Sequence, residues 1–307
     1  MSGVKDGTKW RVAVKDVFEP AKSAGIQKQD ILLAIEDTEI LDAAHLKNYL
    51  IERTTREVRA GARIVVWSEG AARILEEDMP EFLEQMTNLA AEFSVYVQAG
   101  VNVYLDPSAE AASENRAIMF TPQGTVAWDY HKVHVTPGDP ERPGEQGIPI
   151  IDTPFGRIAT IICQDDLFPG FVRHAAHNEV DILLVPSNDW PAVADWHETI
   201  SVFRAIENGV SILRPTGNGV SLAIDPVGRV VAHRRGASRN DENTLVASLP
   251  VRRQWTPARA AGDSVAWLSA FMLVVTAVSV PLRKARTKKR NRGIKVPYLP
   301  SSNGREL

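Results

Sequence analysis

The chain has 307 residues, 44% of them hydrophobic, and a net charge of −3, enough to bury a full core as one domain of about 250 residues with an appendage. Its single cysteine, Cys163, excludes an intramolecular disulfide and a thiolate metal cluster. Residues 283–307 carry nine Lys or Arg against one Glu, leaving residues 1–282 at −11, which argues against a nucleic-acid-binding main domain.

Trp10 to Phe18, with Val12, Val14 and Val17, predicts a first strand that opens the sheet. Leu41 to Arg59 has Leu46, Tyr49 and Leu50 at helical spacing and stops at Gly61. Arg63-Ile64-Val65-Val66 is an apolar strand, and Trp67-Ser68-Glu69-Gly70 stands at its end. Asp78-Met79-Pro80 opens a helix through Phe82, Met86, Leu89 and Phe93, followed by a strand from Ser94 to Val101. Asp106 to Glu114 reads as a surface loop. Arg116 to Phe120 and Thr125 to Asp129 form a hairpin that presents Tyr130-His131-Lys132-Val133-His134. Thr136 to Gly147, with three Pro and three Gly, is a long irregular loop of the kind that lines active sites.

Gly156 to Asp166 contains Ile158-Ala159-Thr160-Ile161-Ile162, a buried parallel strand with Cys163 at its C-terminal end. A free cysteine after two isoleucines is on frequency alone a small buried hydrophobe. As a nucleophile it needs help, because a thiol of pKa about 8.5 is mostly protonated at neutral pH. Glu69 can take its proton and Lys132 can hold an oxyanion, and each stands at its own strand end, where chemistry in open α/β sheets collects. Asp165 and Asp166 cap a helix from Phe171 to His177 whose dipole would favour the thiolate. Asp181 to Val185 is the next strand and brings Pro186-Ser187-Asn188-Asp189-Trp190 to the same rim. There Asn188, Asp189 and Trp190 either line the pocket or form a polar turn with a packed Trp; Trp67 is a further candidate for the pocket wall.

Trp196 to Asn208 predicts a helix with Phe203 and Ile206 inward, Arg204 and Glu207 tying it to the sheet, and a stop at Gly209. Ser211 to Leu213, Val220 to Asp225, Arg229 to His233 and Thr244 to Ser248 complete the strands. The alternation indicates an α/β sandwich. Among the seven His there is no His-Glu-x-x-His spacing, and no glycine-rich phosphate loop follows a strand, so neither metal nor nucleotide cofactor is expected.

Val265 to Leu282 holds no charge over 18 residues, the lower limit for a membrane-spanning helix, and lacks a polar face. A transmembrane helix is expected over 263–282. Arg283 to Arg290 would then anchor a basic cytoplasmic tail, 283–307, beside anionic lipid, with the 1–262 domain on the extracytoplasmic face of a cell membrane. Met1 to Trp10 has no apolar stretch to carry that domain across. Such an orientation needs an upstream membrane-spanning region or a partner chain; the alternative is a tail anchor with the domain inside.

The order Glu69, Lys132, Cys163 resembles the Glu-Lys-Cys triad of the nitrilase, or carbon-nitrogen hydrolase, superfamily. Within it the chain is most similar to the catalytic domain of the apolipoprotein N-acyltransferases. The likeness covers roughly residues 10 to 282 and rests on Val66-Trp67-Ser68-Glu69-Gly70-Ala71, His131-Lys132-Val133-His134, Ile162-Cys163-Gln164-Asp165, Pro186 to Trp190 and Arg204-Ala205-Ile206-Glu207-Asn208-Gly209. The resemblance implies a four-layer α-β-β-α sandwich, a thioester on Cys163, a phospholipid acyl donor and a lipoprotein N-terminal amine as acceptor. It also implies a second functional Glu soon after the Lys. Where the acyltransferases have Pro-Phe-Gly-Glu this chain has Pro-Gly-Asp-Pro-Glu, which points to Glu141 with Asp139 as rival. Ser68 stands where they usually have Pro, and Gln164-Asp165 where they have Tyr-Glu. An amidase or nitrilase passing the acyl group to water is the alternative enzyme, and a catalytically dead membrane-anchored scaffold the alternative of another class.

Overall fold

The computed structural model describes residues 2–6, 9–13, 34–35, 38–39, 43–105, 113–235 and 244–292, and divides into two units, Met1–Arg259 and Ala260–Leu307. At the start of the first unit, β1 (Ser2–Asp6) pairs antiparallel with β2 (Lys9–Ala13), and β3 (Ala34–Ile35) with β4 (Thr38–Glu39). The strand expected over Trp10 to Phe18 therefore does not open the main sheet. Its first part pairs with its nearest neighbour in sequence, where loop closure costs least; residues 14–18 lie outside the described residues, as do 106–112 of the expected loop.

The helix α1 (Ala43–Arg59) leads into β5 (Ile64–Val66), β6 (Ala72–Leu75), α2 (Met79–Phe93), β7 (Tyr96–Tyr104), β8 (Ser113–Phe120) and β9 (Val126–His131). These strands form one sheet in the order β5-β7-β8-β9, with β6 also on β7. Ser113 and Glu114, expected in the loop, are buried strand residues paired with Tyr104 and Val103. β5 and β6 lie parallel to β7 in succession, against Tyr96 to Gln98 and then Val101 to Tyr104. The chain between them leaves the ladder, and Glu69 sits in that gap.

The second sheet is β10 (Ile150–Thr153), β11 (Gly156–Thr160), β12 (Ile182–Leu184), β13 (Ser211–Arg214), β14 (Val220–Ile224) and β15 (Val230–Arg235), side by side in that order. Its centre, β11-β12-β13, is parallel, as the continuous apolar runs require. Between its strands come α3 (Pro169–His177) and α4 (Ala194–Asn208). Thr244 to Ser248, expected as a strand, makes none; the 244–256 run is held instead by Gln254 N–H on Gly209 O (2.8 Å) and Ser211 Oγ on Pro250 O (2.8 Å), and Pro250 has no N–H for a ladder.

Strand alternation divides the core into three apolar layers. Val97, Ala99 and Val101 of β7 and Ile118 and Phe120 of β8 face Phe82, Met86 and Leu89 of α2, with Leu50 and Ile51 of α1 against them. On the other side, Tyr96, Ala117, Met119, Trp128 and Tyr130 meet Ile158, Ile162, Ile182 and Leu184 of the second sheet. Ala159, Leu183, Ile212, Leu222 and Ile224 then face Val172 and Ala175 of α3 and Ala205 of α4. Helices, sheet, sheet and helices make the four-layer sandwich.

α4 is turned over from expectation. Phe203 and Ile206 are 55% and 41% exposed, and the buried face holds His197, Ser201, Arg204 and Asn208. The polar residues are inward because they have partners there: Ser201 Oγ donates to Asp166 Oδ2 (2.7 Å) and Arg204 Nε to Asp166 O (2.6 Å).

In the second unit, after α5 (Pro257–Ala261), α6 (Ser264–Arg292) is one continuous helix whose apolar side chains, Trp267 to Val280, are exposed. Among the described residues, no helix is long and apolar enough to cross a membrane, so the expected span over 263–282 is not supported. The uncharged run of residues 265–282 rises by about 27 Å, against a hydrocarbon core of about 30 Å, and is interrupted by Ser269, Thr276, Ser279 and Pro281.

Candidate active site

The ends of β9 and β11 and the gap between β5 and β6 carry Lys132, Cys163 and Glu69, three buried side chains within electrostatic range of one another. Lys132 directly follows β9, and its N–H extends the ladder to Asn115 O (2.9 Å). Cys163 follows β11 by three residues; Ile161 N–H reaches Leu184 O (3.1 Å) and Cys163 N–H reaches Pro186 O (2.9 Å), so pairing with the neighbouring strand runs to the cysteine itself. Cys163 then turns at φ +40°, a left-handed conformation that costs of order 1–3 kcal/mol in a residue with a Cβ. It starts a 3₁₀ turn, Cys163–Leu167, ahead of α3, rather than standing at the first turn of α3 itself.

Glu69 is placed by a close approach. A Cβ on Gly100 would lie 2.0 Å from Ser68 O, so the detour that carries Glu69 fits against β7 only because residue 100 is glycine. Gly100→Ala is expected to push the 67–71 segment outward, lower stability by about 1–3 kcal/mol in urea unfolding, and uncouple Glu69 from Lys132.

Lys132 Nζ lies 2.8 Å from Glu69 Oε1 and 3.4 Å from Glu141 Oε2, and only 2% of Lys132 is exposed. Asn115 Nδ2 donates to both carboxylates, 2.7 Å to Glu69 Oε1 and 3.0 Å to Glu141 Oε1. Burial works against the ammonium charge, but Glu69 and Glu141 outweigh it and hold the Lys132 pKa above its ordinary value. Glu141 moves up, first through burial, with Lys132 opposing and Glu69 adding to the rise. Of the two acids weighed in the 136–147 loop, Glu141 is the one that reaches Lys132. The loop is pinned there by Arg142 N–H on Ser113 O (2.8 Å) and Gly144 N–H on Lys132 O (2.8 Å).

Burial pushes the Cys163 thiol well above its ordinary pKa, and the Glu69 charge adds to this; Arg214, Lys132 and the Asn188 peptide N–H oppose it. This favours the thiol form, so that any attack by the sulfur would need a base to take its proton. Asp165 ties the cysteine turn to the lysine segment. Its Oδ2 accepts from Tyr130 OH (2.8 Å) and Ile162 N–H (2.9 Å), and its Oδ1 from His134 N–H (2.8 Å), with the His134 ring Nδ1 also 2.9 Å away. Burial and the Asp165 charge push the Tyr130 phenol up, which keeps it a donor.

Of the residues expected to line the pocket, Trp67 goes elsewhere. It is 5% exposed in the core under α2, with Nε1 on Thr54 Oγ1 (2.8 Å). Asn188 and Trp190 are exposed beside the buried Asp189, whose Oδ1 is 3.9 Å from Cys163 Sγ. Sequence reasoning did not find Asn115, Arg214 or His197. Asp189 accepts from Arg214 through both oxygens, 2.7 Å and 2.8 Å, and its Oδ1 is 2.6 Å from His197 Nδ1. Although burial favours its neutral form, these partners lower the Asp189 pKa to about 2.

Cys163, Asp189 and His197 offer ligand atoms within 4.8 Å of one another, a spacing with the look of a metal site. The donor set does not fit one, because both Asp189 oxygens are taken by the Arg214 guanidinium, which supplies the positive charge already.

The carbon-nitrogen hydrolase family profile matches residues 39–256. The chain is 26% identical over 212 residues to the apolipoprotein N-acyltransferase of Rickettsia prowazekii, which covers 61% of this chain and 42% of that protein. It is 32% identical over 170 residues to a probable nitrilase of Schizosaccharomyces pombe, covering 50% of this chain and 59% of that one. The chain thus spans about two fifths of the length of the acyltransferases it matches. The fold is similar to a carbon-nitrogen hydrolase from Helicobacter pylori, with TM-score 0.59, 21% identity and coverage of 68% and 85%. It is also similar to an amidase from Nesterenkonia, solved with acrylamide added to its active-site cysteine, with TM-score 0.56, 20% identity and coverage of 64% and 84%.

Proposed function

Because the chain belongs to the carbon-nitrogen hydrolase family, we propose that Cys163 is its acylated nucleophile and that the acyl group passes from a phospholipid to an amine, the N-terminus of a lipoprotein. The observation that carries the chemistry is the buried Glu69–Lys132 pair at 2.8 Å beside a thiol held at φ +40°. Glu69 takes the thiol proton as sulfur attacks the acyl carbonyl, the Lys132 ammonium holds the oxyanion, and the proton returns to the leaving group as the thioester forms. In the second half the acceptor amine attacks the thioester carbonyl as Glu69 takes its proton, the C–S bond breaks as the amide forms, and Glu69 returns the proton to the Cys163 sulfur. Glu141 and Asn115 keep Glu69 and Lys132 in register throughout.

The phospholipid donor and lipoprotein acceptor rest on likeness to the acyltransferases. They accord with the exposed apolar side chains of α6 and the basic run in its C-terminal part, which would meet an anionic bilayer surface. The second reading, hydrolysis of a small amide with water as acceptor, is favoured by the likeness to the probable nitrilase and to the amidase fold.

Intact-mass measurement separates the two. After exposure to phospholipid vesicles, a fatty-acyl mass gain is expected on the wild type and not on Cys163→Ala. A gain from short amides alone would replace the transferase reading with the hydrolase one. No gain from either would leave the site without its proposed chemistry.

A further inference from the structure

A second buried assembly touches the thiol and has no part in the steps above. Asp189 is 2% exposed and its Oδ1 accepts from Sγ at 3.9 Å. Arg214, fully buried, grips both Asp189 oxygens, and its Nε lies 3.9 Å from Asp166 Oδ2. His197 reaches Asp189 from α4. The turn that bears Asp189 is strapped to its neighbour: Ser187 N–H donates to Pro215 O (2.9 Å) and Gly217 N–H to Ser187 O (3.1 Å). On the same turn, the Asn188 peptide N–H is oriented so that it lowers the Cys163 thiol pKa. A Cβ on Gly219 would sit 2.5 Å from Asp189 Oδ2, so nothing larger than glycine fits against the carboxylate.

Burying a carboxylate and a guanidinium is expensive, and fastening α4 to the sheet could be done by apolar side chains at less cost. What apolar packing could not supply is an acceptor aimed at the sulfur and a fixed peptide N–H next to it. We propose that Asp189, clamped by Arg214 and His197, is a positioning residue for Cys163, setting the direction of its S–H bond through Oδ1 and holding the Asn188 N–H toward the sulfur. This rests on Cys163 being the nucleophile. The other charged groups facing the sulfur are Glu69, Lys132 and Arg214.

The test uses the full chain and two probes with opposite demands. Acylation by p-nitrophenyl butyrate, read as a burst of p-nitrophenol and as mass on Cys163, needs the sulfur aimed and its proton taken by Glu69. Alkylation by iodoacetamide, followed from about pH 6 to 10, needs only thiolate. Asp189→Asn is expected to slow acylation about 100-fold. It is also expected to lower the midpoint of alkylation by about one unit or more, because the Arg214 charge loses its counter-ion beside the thiol. His197→Phe, which leaves the Asp189–Arg214 pair in place, is expected to slow acylation about tenfold with the alkylation midpoint unmoved.

Acylation at the wild-type rate in both variants overturns the proposal, as does a parallel fall of both reactions, which is what a loosened fold would give. Should Asp189→Asn not fold, by circular dichroism, His197→Phe decides alone, and unchanged acylation there overturns the proposal. A wild type that alkylates at Cys163 but is never acylated overturns the nucleophile reading instead. In that case an alkylation midpoint unmoved in Asp189→Asn still counts against the placement of Asp189.

Discussion

Glu69→Gln is expected to slow acylation of Cys163 by about 10²–10⁴-fold, the contribution of a positioned general base, while leaving alkylation by iodoacetamide unchanged or faster. The two reactions part company because of charge. The Glu69 carboxylate is one of the groups that raise the thiol pKa, after burial itself. Its removal eases formation of the thiolate that alkylation requires, yet leaves no acceptor for the proton during acyl transfer. Gln keeps an oxygen for Lys132 and Asn115, which now hold Glu69 at 2.8 Å and 2.7 Å, so the cluster keeps its shape. Alkylation that falls in step with acylation would mean that Glu69 supports the fold and does not move the proton.

Lys132→Met is expected to cost about 3–5 kcal/mol of stability, the usual penalty for leaving a buried charge without its partner, and at least about 10²–10³-fold in acylation, through loss of the oxyanion cation. The stability loss should depend on pH with a definite sign. In the wild type the raised Lys132 pKa contributes stability that is complete below the unfolded value of about 10.4 and is lost only as pH rises through the folded one. In the variant, Glu69 and Glu141 share Asn115 with no cation between them, and Glu141, already raised by burial and by the Glu69 charge, loses the Lys132 charge that opposed the rise and is driven further up. Groups raised above their unfolded value of about 4.3 favour folding at low pH and oppose it as pH climbs. Urea unfolding should therefore show a smaller loss near pH 5 than near pH 8. An equal loss at both would show that the two carboxylates do not sense each other.

How much of this was legible in the sequence follows from how local each signal is. Glu69, Lys132 and Cys163 each end an apolar run, and a strand carries its last residue to a sheet rim whatever the rest of the chain does. An α/β sandwich was likewise legible from alternating strands and helices, while its four layers were implied only by the family resemblance. Trp67 was misread because residues two apart share a face only while the strand continues: Trp67 still pairs with β7 through its N–H on Gln98 O (2.8 Å) and packs under α2, and the chain leaves the ladder before Glu69. Phe203 and Ile206 were misread because apolar residues at helical spacing were assumed to face inward. The sequence did hold the opposite signal: His197, Ser201, Arg204 and Asn208 repeat at intervals of four, three and four residues, a polar stripe as regular as any apolar one. Arg214 and Asn115 left no such mark, since their partners Asp189, Glu69 and Glu141 stand on segments distant in the chain and no spacing encodes them.

The gap between β5 and β6 has a consequence for how this site can change. Both flanks of the 67–71 segment are hydrogen-bonded to β7, so the carboxylate rides on a bridge anchored at each bank and has little freedom to follow a new reactant. The turn bearing Asn188 and Trp190 leaves both of those side chains in solvent. A lineage, or a designer, seeking a different acyl acceptor would find tolerance on that shore and almost none on the other.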